Sequence, residues 1–190
     1  MLRPVLVLLR IPSKLLNRLF NLCWLVPEYL SGDERILRAV YTPLYFDKNN
    51  KLKPTAFHPS PHTVDISVMR CEYLGVQFCK QKALAIENPA ARKNYSGFAV
   101  LAVRAVRRCG LDVVDSRAKP NYCGHADIKL VLGEAIDPQE PLSAIAGERL
   151  LELKKMLVGV SNYTPDPNPR DKEWRGGKLK PPKEQKVAVR

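Results

Sequence analysis

The chain has 190 residues, 45% of them apolar, and a formal charge of +12 from 31 Lys/Arg against 19 Asp/Glu. That length suits one domain with attached ends, and the apolar share excludes wholesale disorder. The cationic excess favours contact with an anionic partner, nucleic acid first, with anionic lipid and acidic protein behind it.

Residues 1–30 form an amphipathic N-terminal segment with four Lys/Arg against a single acid. Leu15, Leu16, Leu19, Leu22 and Leu25 fall three or four apart, as one stripe of a helix does. Pro12 breaks or restarts that helix. Uncharged runs such as Pro4 to Leu9 fall far short of a membrane-spanning length, so no transmembrane span is expected. Three accounts stay open: a helix that packs on the body or on a protein partner, a targeting or surface-anchoring segment, and an over-long start of the reading frame.

Residues 31–160 read as a single α+β domain. Arg35 to Tyr41 alternates and predicts a strand, followed over 42–63 by a long proline-rich excursion. Val64 to Met69 alternates again. Glu72 to Ile86 has helical spacing. Gly97 opens an apolar run from Phe98 to Val103 that suits a buried strand, and Arg104 to Arg108 suits one helical turn. Leu111–Val114 and Ala126–Leu132 are short strands, the second with Ala126, Ile128, Leu130 and Leu132 inward. Pro141 to Val160 is an amphipathic helix with Leu150, Leu153 and Leu157 on its apolar side. Residues 161–190 turn to Pro, Lys, Asp and Gly, which predicts a basic, flexible C-terminal arm over 164–190. The order β-β-α-β-β-β-α suggests a small mixed or antiparallel sheet packed with two or three helices.

The five cysteines (Cys23, Cys71, Cys79, Cys109, Cys123) contain no Cys-x-x-Cys pair, which points to reduced thiols and a cytoplasmic location. Residue spacing identifies no metal and no cofactor, and no phosphate loop or nucleophile elbow occurs.

All three histidines lie in two short segments, His58-Pro59-Ser60-Pro61-His62 and His125-Ala126-Asp127. Prolines exclude a helix over the first, so His58 and His62 meet only if the chain turns at Ser60-Pro61. Their plain alternative is a pair of surface histidines. On a strand, His125 and Asp127 share a face, so the carboxylate is placed to orient the imidazole for acid–base work; the plain alternative is a solvent-facing polar stripe that includes Lys129. Asp65 and Ser67 share a face of their own strand. If that strand adjoins the one bearing His125, a Ser/His/Asp set becomes geometrically available, although no oxyanion loop accompanies it.

Two functional readings follow. In the first, the basic surface binds the phosphate backbone of nucleic acid through Arg104, Arg107, Arg108 and Lys119 on the body, with Lys178 and Lys180 on the arm. In the alternative, the chain is a small nucleotide- or phosphodiester-processing transferase or hydrolase. His125 is then its acid or base, Asp127 the orienter, and Arg38 and Arg70 the phosphate clamps, with His58, His62 and Ser67 as further catalytic candidates. The segments Ala56-Phe57-His58-Pro59, Asp65-Ile66-Ser67-Val68-Met69-Arg70 and Gly124-His125-Ala126-Asp127-Ile128 resemble a group of small, functionally uncharacterised bacterial proteins with Ile-Ser-Val-x-Arg and His-Ala-x-Ile strands. The resemblance implies that 35–132 is the body and brings no activity with it.

Overall fold

Alternation from Arg35 onward sets the middle of the fold. Strand β1 (Arg35–Pro43) sends Ile36 and Val40 to one face and Leu37, Ala39 and Tyr41 to the other. A computed structural model describes residues 26–59, 64–117, 122–130 and 147–182. Within these, β1 is joined by β2 (Asp65–Arg70), β3 (Lys93–Ala102), β4 (Asp112–Asp115), β5 (His125–Lys129) and β6 (Asn162–Pro165). They form one six-stranded sheet in the order β4-β5-β2-β1-β3-β6, with every neighbouring pair antiparallel. Four helices accompany it: α1 (Cys71–Leu74), α2 (Val76–Ala85), α3 (Val103–Arg108) and α4 (Gly147–Gly159).

The architecture is therefore α+β with an antiparallel sheet. The helix predicted over Glu72–Ile86 parts at Gly75 into α1 and α2. Residues 1–25, which carry the predicted N-terminal helix, and 141–146, the start of the predicted last helix, lie outside the described residues. Among the described residues no helix is long and apolar enough to cross a membrane.

Both sheet faces are covered, which gives two cores. Ile36, Val40, Ile66, Val68, Leu101 and Ile128 pack against Val103 and Val106 of α3 and Leu150, Leu153 and Leu157 of α4. Burying a leucine contributes about 1.5–3 kcal/mol, so those three residues supply a large part of the docking of α4. Leu37, Tyr41, Met69, Phe98 and Val100 meet Cys79 and Ala83 of α2 on the opposite face.

Over residues 162–182 the expectation of a flexible arm is corrected by the structure; residues 183–190 lie outside the described residues. Asn162 to Pro165 is β6, paired along β3 from Val100 to Gly97. Gly97 sits at φ +150°, and a Cβ there would come within 2.4 Å of the Thr164 carbonyl oxygen, so only glycine allows this approach. Beyond β6 the chain returns across α2 as a strap. Trp174 packs on Phe98 with ring centroids 5.4 Å apart, Leu179 is buried in the core, and Arg35 donates to the Leu179 carbonyl at 2.9 Å. Composition fails here because the strap buries few side chains and is held mainly by polar anchors.

The strongest anchor is Lys80 of α2. Its ammonium is fully buried, 2.7 Å from the equally buried Asp166 carboxylate, and donates to the carbonyls of Asn168 and Glu173 at 2.8 and 2.6 Å. Two carbonyls thus take hydrogen bonds from the ammonium, and the Asp166 carboxylate balances its charge as an ion pair. Removing one partner of such a pair leaves an uncompensated charge, so Asp166→Asn is expected to lower the unfolding free energy by about 3–5 kcal/mol in urea titrations. The double substitution Lys80→Met/Asp166→Leu should recover much of that loss. An Asp166→Asn effect below about 1 kcal/mol would contradict the assignment.

Candidate functional site

His125 is placed by the turn before it. Gly124 adopts φ +83°, and a Cβ there would lie 2.9 Å from Cγ of Leu74, so glycine both makes the turn and clears α1. The Gly124 carbonyl accepts from the Arg70 amide at 2.8 Å, which seats β5 against β2. In that register Met69 faces His125, Ser67 faces Asp127 and Asp65 faces Lys129. Ala126 and Ile128 point into the α3/α4 core, so His125 and Asp127 belong to the α2 face.

The plain alternative of a solvent-facing stripe does not hold, since His125 and Asp127 are only 6% and 8% exposed. Nδ1 of His125 lies 2.6 Å from Oγ of Ser116, a residue just past β4, and the Ser116 amide donates to the His125 carbonyl at 3.1 Å. On the other side of the ring, Nε2 is 3.9 Å from Oδ1 of Asp127. The Tyr122 ring meets the imidazole edge-on at 5.3 Å. A carboxylate facing Nε2 favours the proton on that nitrogen, which leaves Nδ1 to accept from the Ser116 hydroxyl; the tautomer is assigned from this network. Burial lowers the His125 pKa, opposed by Asp127, by a hydrogen bond with the Ser116 main chain and by Asp115, and assisted by Arg38. The imidazole is thus held neutral near pH 7, the state a general base requires.

Ser116 owes its place to the residue before it. Asp115 receives Nη1 of Arg70 at 2.7 Å and Nε of Arg117 at 2.8 Å. Burial works against its ionisation, but the Arg117 hydrogen bonds and the two guanidinium charges hold the carboxyl below the usual range. Arg70 itself is fully buried. Its Nε and Nη2 donate to the Glu34 carboxylate at 2.5 and 3.0 Å, Nη1 also donates to the Pro27 carbonyl at 2.6 Å, and the group lies 4.8 Å from the Tyr73 ring centroid. A guanidinium this buried, with four of its five N–H groups donating inside the fold, is closed to a ligand, so the expectation of Arg70 as a phosphate clamp is corrected.

Other predicted positions fare variously. Ser67 is exposed in the middle of the sheet, across from Asp127 and away from the hydroxyl contact that His125 makes with Ser116. Asp65 pairs with Lys129 at 2.5 Å. The β1–β2 ladder is confined to Ile36–Arg70 and Leu37–Met69. Beyond it Arg38 bridges to the carbonyls of Ser67 at 2.9 Å, Ala56 at 3.2 Å and His58 at 3.3 Å. His58 is exposed beyond the short helical turn that packs on α4, so it does not join the His125 group; His62 lies outside the described residues.

Two of the six cations proposed for backbone binding are engaged. Arg104 pairs with Asp33 at 2.7 Å, and Arg107 bonds Asp112 and the Leu30 carbonyl, both at 3.0 Å. Arg108 is exposed, Lys178 and Lys180 are exposed on the strap, and Lys119 lies outside the described residues. Arg38, Lys82 over the Phe78 and Tyr122 rings, and Lys93 over the Tyr41 ring are half-buried cations that form no ion pair with a carboxylate of the described residues.

Ser116 also faces a cavity of about 380 Å³ along the outer side of β4, between that strand and residues 28–30. Tyr29, Leu30, Arg107, Val114 and Arg117 line it too. The Tyr29 ring is 72% exposed and has the Arg107 guanidinium 5.1 Å from its centroid. Sequence reasoning missed Ser116 because it fell in a loop; its only signal was its place at the end of a strand followed closely by His125. Among the described residues no group of three His, Cys, Asp or Glu is arranged to hold a metal.

Cys71, Cys79 and Cys109 remain thiols, but Cys123, fully buried in the turn before His125, is disulfide-bonded. This corrects the expectation of five reduced cysteines, because pairing depends on spatial approach that sequence spacing does not reveal. Disulfides persist in oxidising compartments, so the cysteines do not support a reduced one. No protein-family model, curated protein or solved structure matches this chain.

His125 and His58 both have pKa values lowered from 6.5, His125 chiefly by burial and the exposed His58 by partial desolvation and then by the Lys154 and Arg38 charges. The unfolded chain therefore binds protons more readily than the folded one. Stability is fully present above about pH 6.5 and declines as pH falls through the folded-state values. The expected result is a melting temperature that drops between pH 7 and 5, with the dependence reduced in His125→Gln; an identical slope in that variant would refute the assignment.

Proposed function

We propose that the chain is a small enzyme acting on a phosphate ester, a nucleotide or phosphodiester, with His125 as general acid and base. The observation that carries this reading is the neutral imidazole enclosed between the Ser116 hydroxyl and the Asp127 carboxylate. A buried histidine with a hydroxyl on one nitrogen and an acid beyond the other can take a proton and return it, which a merely structural histidine has no need to do. Asp127 orients the ring and favours the imidazolium once it forms.

Two features support the substrate class. The Tyr29 ring at the mouth of the cavity is exposed on one side and backed by a guanidinium, a surface suited to stacking a planar base. Arg38, Lys82 and Lys93 supply positive charge that forms no ion pair with a carboxylate of the described residues. Binding nucleic acid through the surface alone has less support, since Arg104 and Arg107 already face acids.

His125→Gln is expected to reduce kcat/KM on bis(p-nitrophenyl) phosphate by about 10²–10⁴-fold while leaving the circular dichroism spectrum unchanged. Asp127→Asn should lower kcat more than it alters KM. Turnover that survives His125→Gln in a folded protein would remove this reading.

A further inference from the structure

We infer that Ser116 is the nucleophile of this site and forms a covalent phosphoserine ester during the reaction. The inference rests on the acid–base role proposed for His125 and adds the atom that attacks.

Its basis is geometric. Ser116 and His125 are cross-strand neighbours at the end of β4, joined by the main chain at 3.1 Å and by the Oγ–Nδ1 contact at 2.6 Å. Asp127, two residues along β5 on the same face, lies beyond the other ring nitrogen at 3.9 Å. Hydroxyl, imidazole and carboxylate thus stand in the order that activates a serine, though Nδ1 rather than Nε2 meets the hydroxyl. The serine is partly exposed and lines the cavity of about 380 Å³, whereas His125 is enclosed behind it. A substrate entering from the β4 edge therefore meets the oxygen first and the base second. Ser67 offers no equivalent, because its cross-strand neighbour is Asp127 and its own carbonyl is bound by Arg38.

The rigidity of Ser116 follows from its flanks. Asp115 is fixed by Arg70 and Arg117, and the Arg117 guanidinium is fixed in turn by the Val26 carbonyl at 2.8 Å. A nucleophile on such a support keeps its distance to the base without a compensating rearrangement.

In the step itself, Oγ of Ser116 attacks phosphorus as its proton passes to Nδ1 of His125. The bond from phosphorus to the leaving alcohol oxygen breaks, and that oxygen takes the proton from Nδ1. Water or an acceptor hydroxyl then attacks the phosphoserine ester, giving its proton to Nδ1, and the proton returns to Oγ as the ester bond opens. No redox partner is needed.

The test is to treat the full chain at pH 7.5 with a fluorophosphonate, a phosphorus electrophile that loses fluoride to an activated serine, and to map the adduct by mass spectrometry. One phosphonyl group on the tryptic peptide 109–117, whose single hydroxyl residue is Ser116, is the expected result. Ser116→Ala should abolish that adduct, and His125→Gln should slow it by about 10²-fold or more. Since the primary readout uses the unaltered protein, it stands even if a variant fails to fold. No adduct, an adduct on Ser67 or another residue, or labelling as fast in folded His125→Gln as in the unaltered chain overturns the inference. If folded Ser116→Ala hydrolyses bis(p-nitrophenyl) phosphate normally while His125→Gln does not, the nucleophile assignment falls and the acid–base reading survives; if both retain turnover, both fall.

Discussion

A single buried guanidinium, that of Arg70, holds the working end of this protein together. It contacts Glu34 before β1, Pro27 in the incoming chain, Asp115 at the end of β4 and the Tyr73 ring of α1. Burying a cation is unfavourable unless it is paired and hydrogen-bonded, and here the acceptors come from three separate segments. The same contact that neutralises Arg70 therefore locates Asp115. Because Ser116 follows directly, the position of the hydroxyl against His125 is a consequence of satisfying a charge some distance away.

The strap works by a related rule. Lys80 is buried under residues 166–173 and requires acceptors, and the strap supplies one carboxylate and two carbonyls. Its aromatic and aliphatic contacts, Trp174 and Leu179, then close the α2 face. In both places, charge that appears in composition as surplus is used inside the fold. A net charge of +12 describes the chain as a whole and says little about where a basic surface lies. Arg104 and Arg107 follow the same pattern at the surface, each facing an aspartate.

Much of the sheet was legible. Alternation at Arg35–Tyr41 and Val64–Met69 announced β1 and β2, and the apolar run from Phe98 announced the second half of β3, since burial on one or both faces imposes those patterns. Leu150, Leu153 and Leu157 announced the buried side of α4. β6 was hidden because four residues with two polar side chains leave little periodicity, and its place depends on the close approach permitted at Gly97. The strap was hidden because polar anchoring leaves no hydrophobic trace.

At the site, the sequence by itself determined that His125 and Asp127 share a face, because alternate residues of a strand point the same way. It also contained the condition under which Ser67 would adjoin them. What only the tertiary structure decided was the partner of the imidazole, Ser116 instead of Ser67, and the enclosure that keeps the ring neutral. The physical reason is that strand order, register and burial arise from cross-strand pairing and from where charges such as Arg70 find acceptors, and neither is encoded in local spacing.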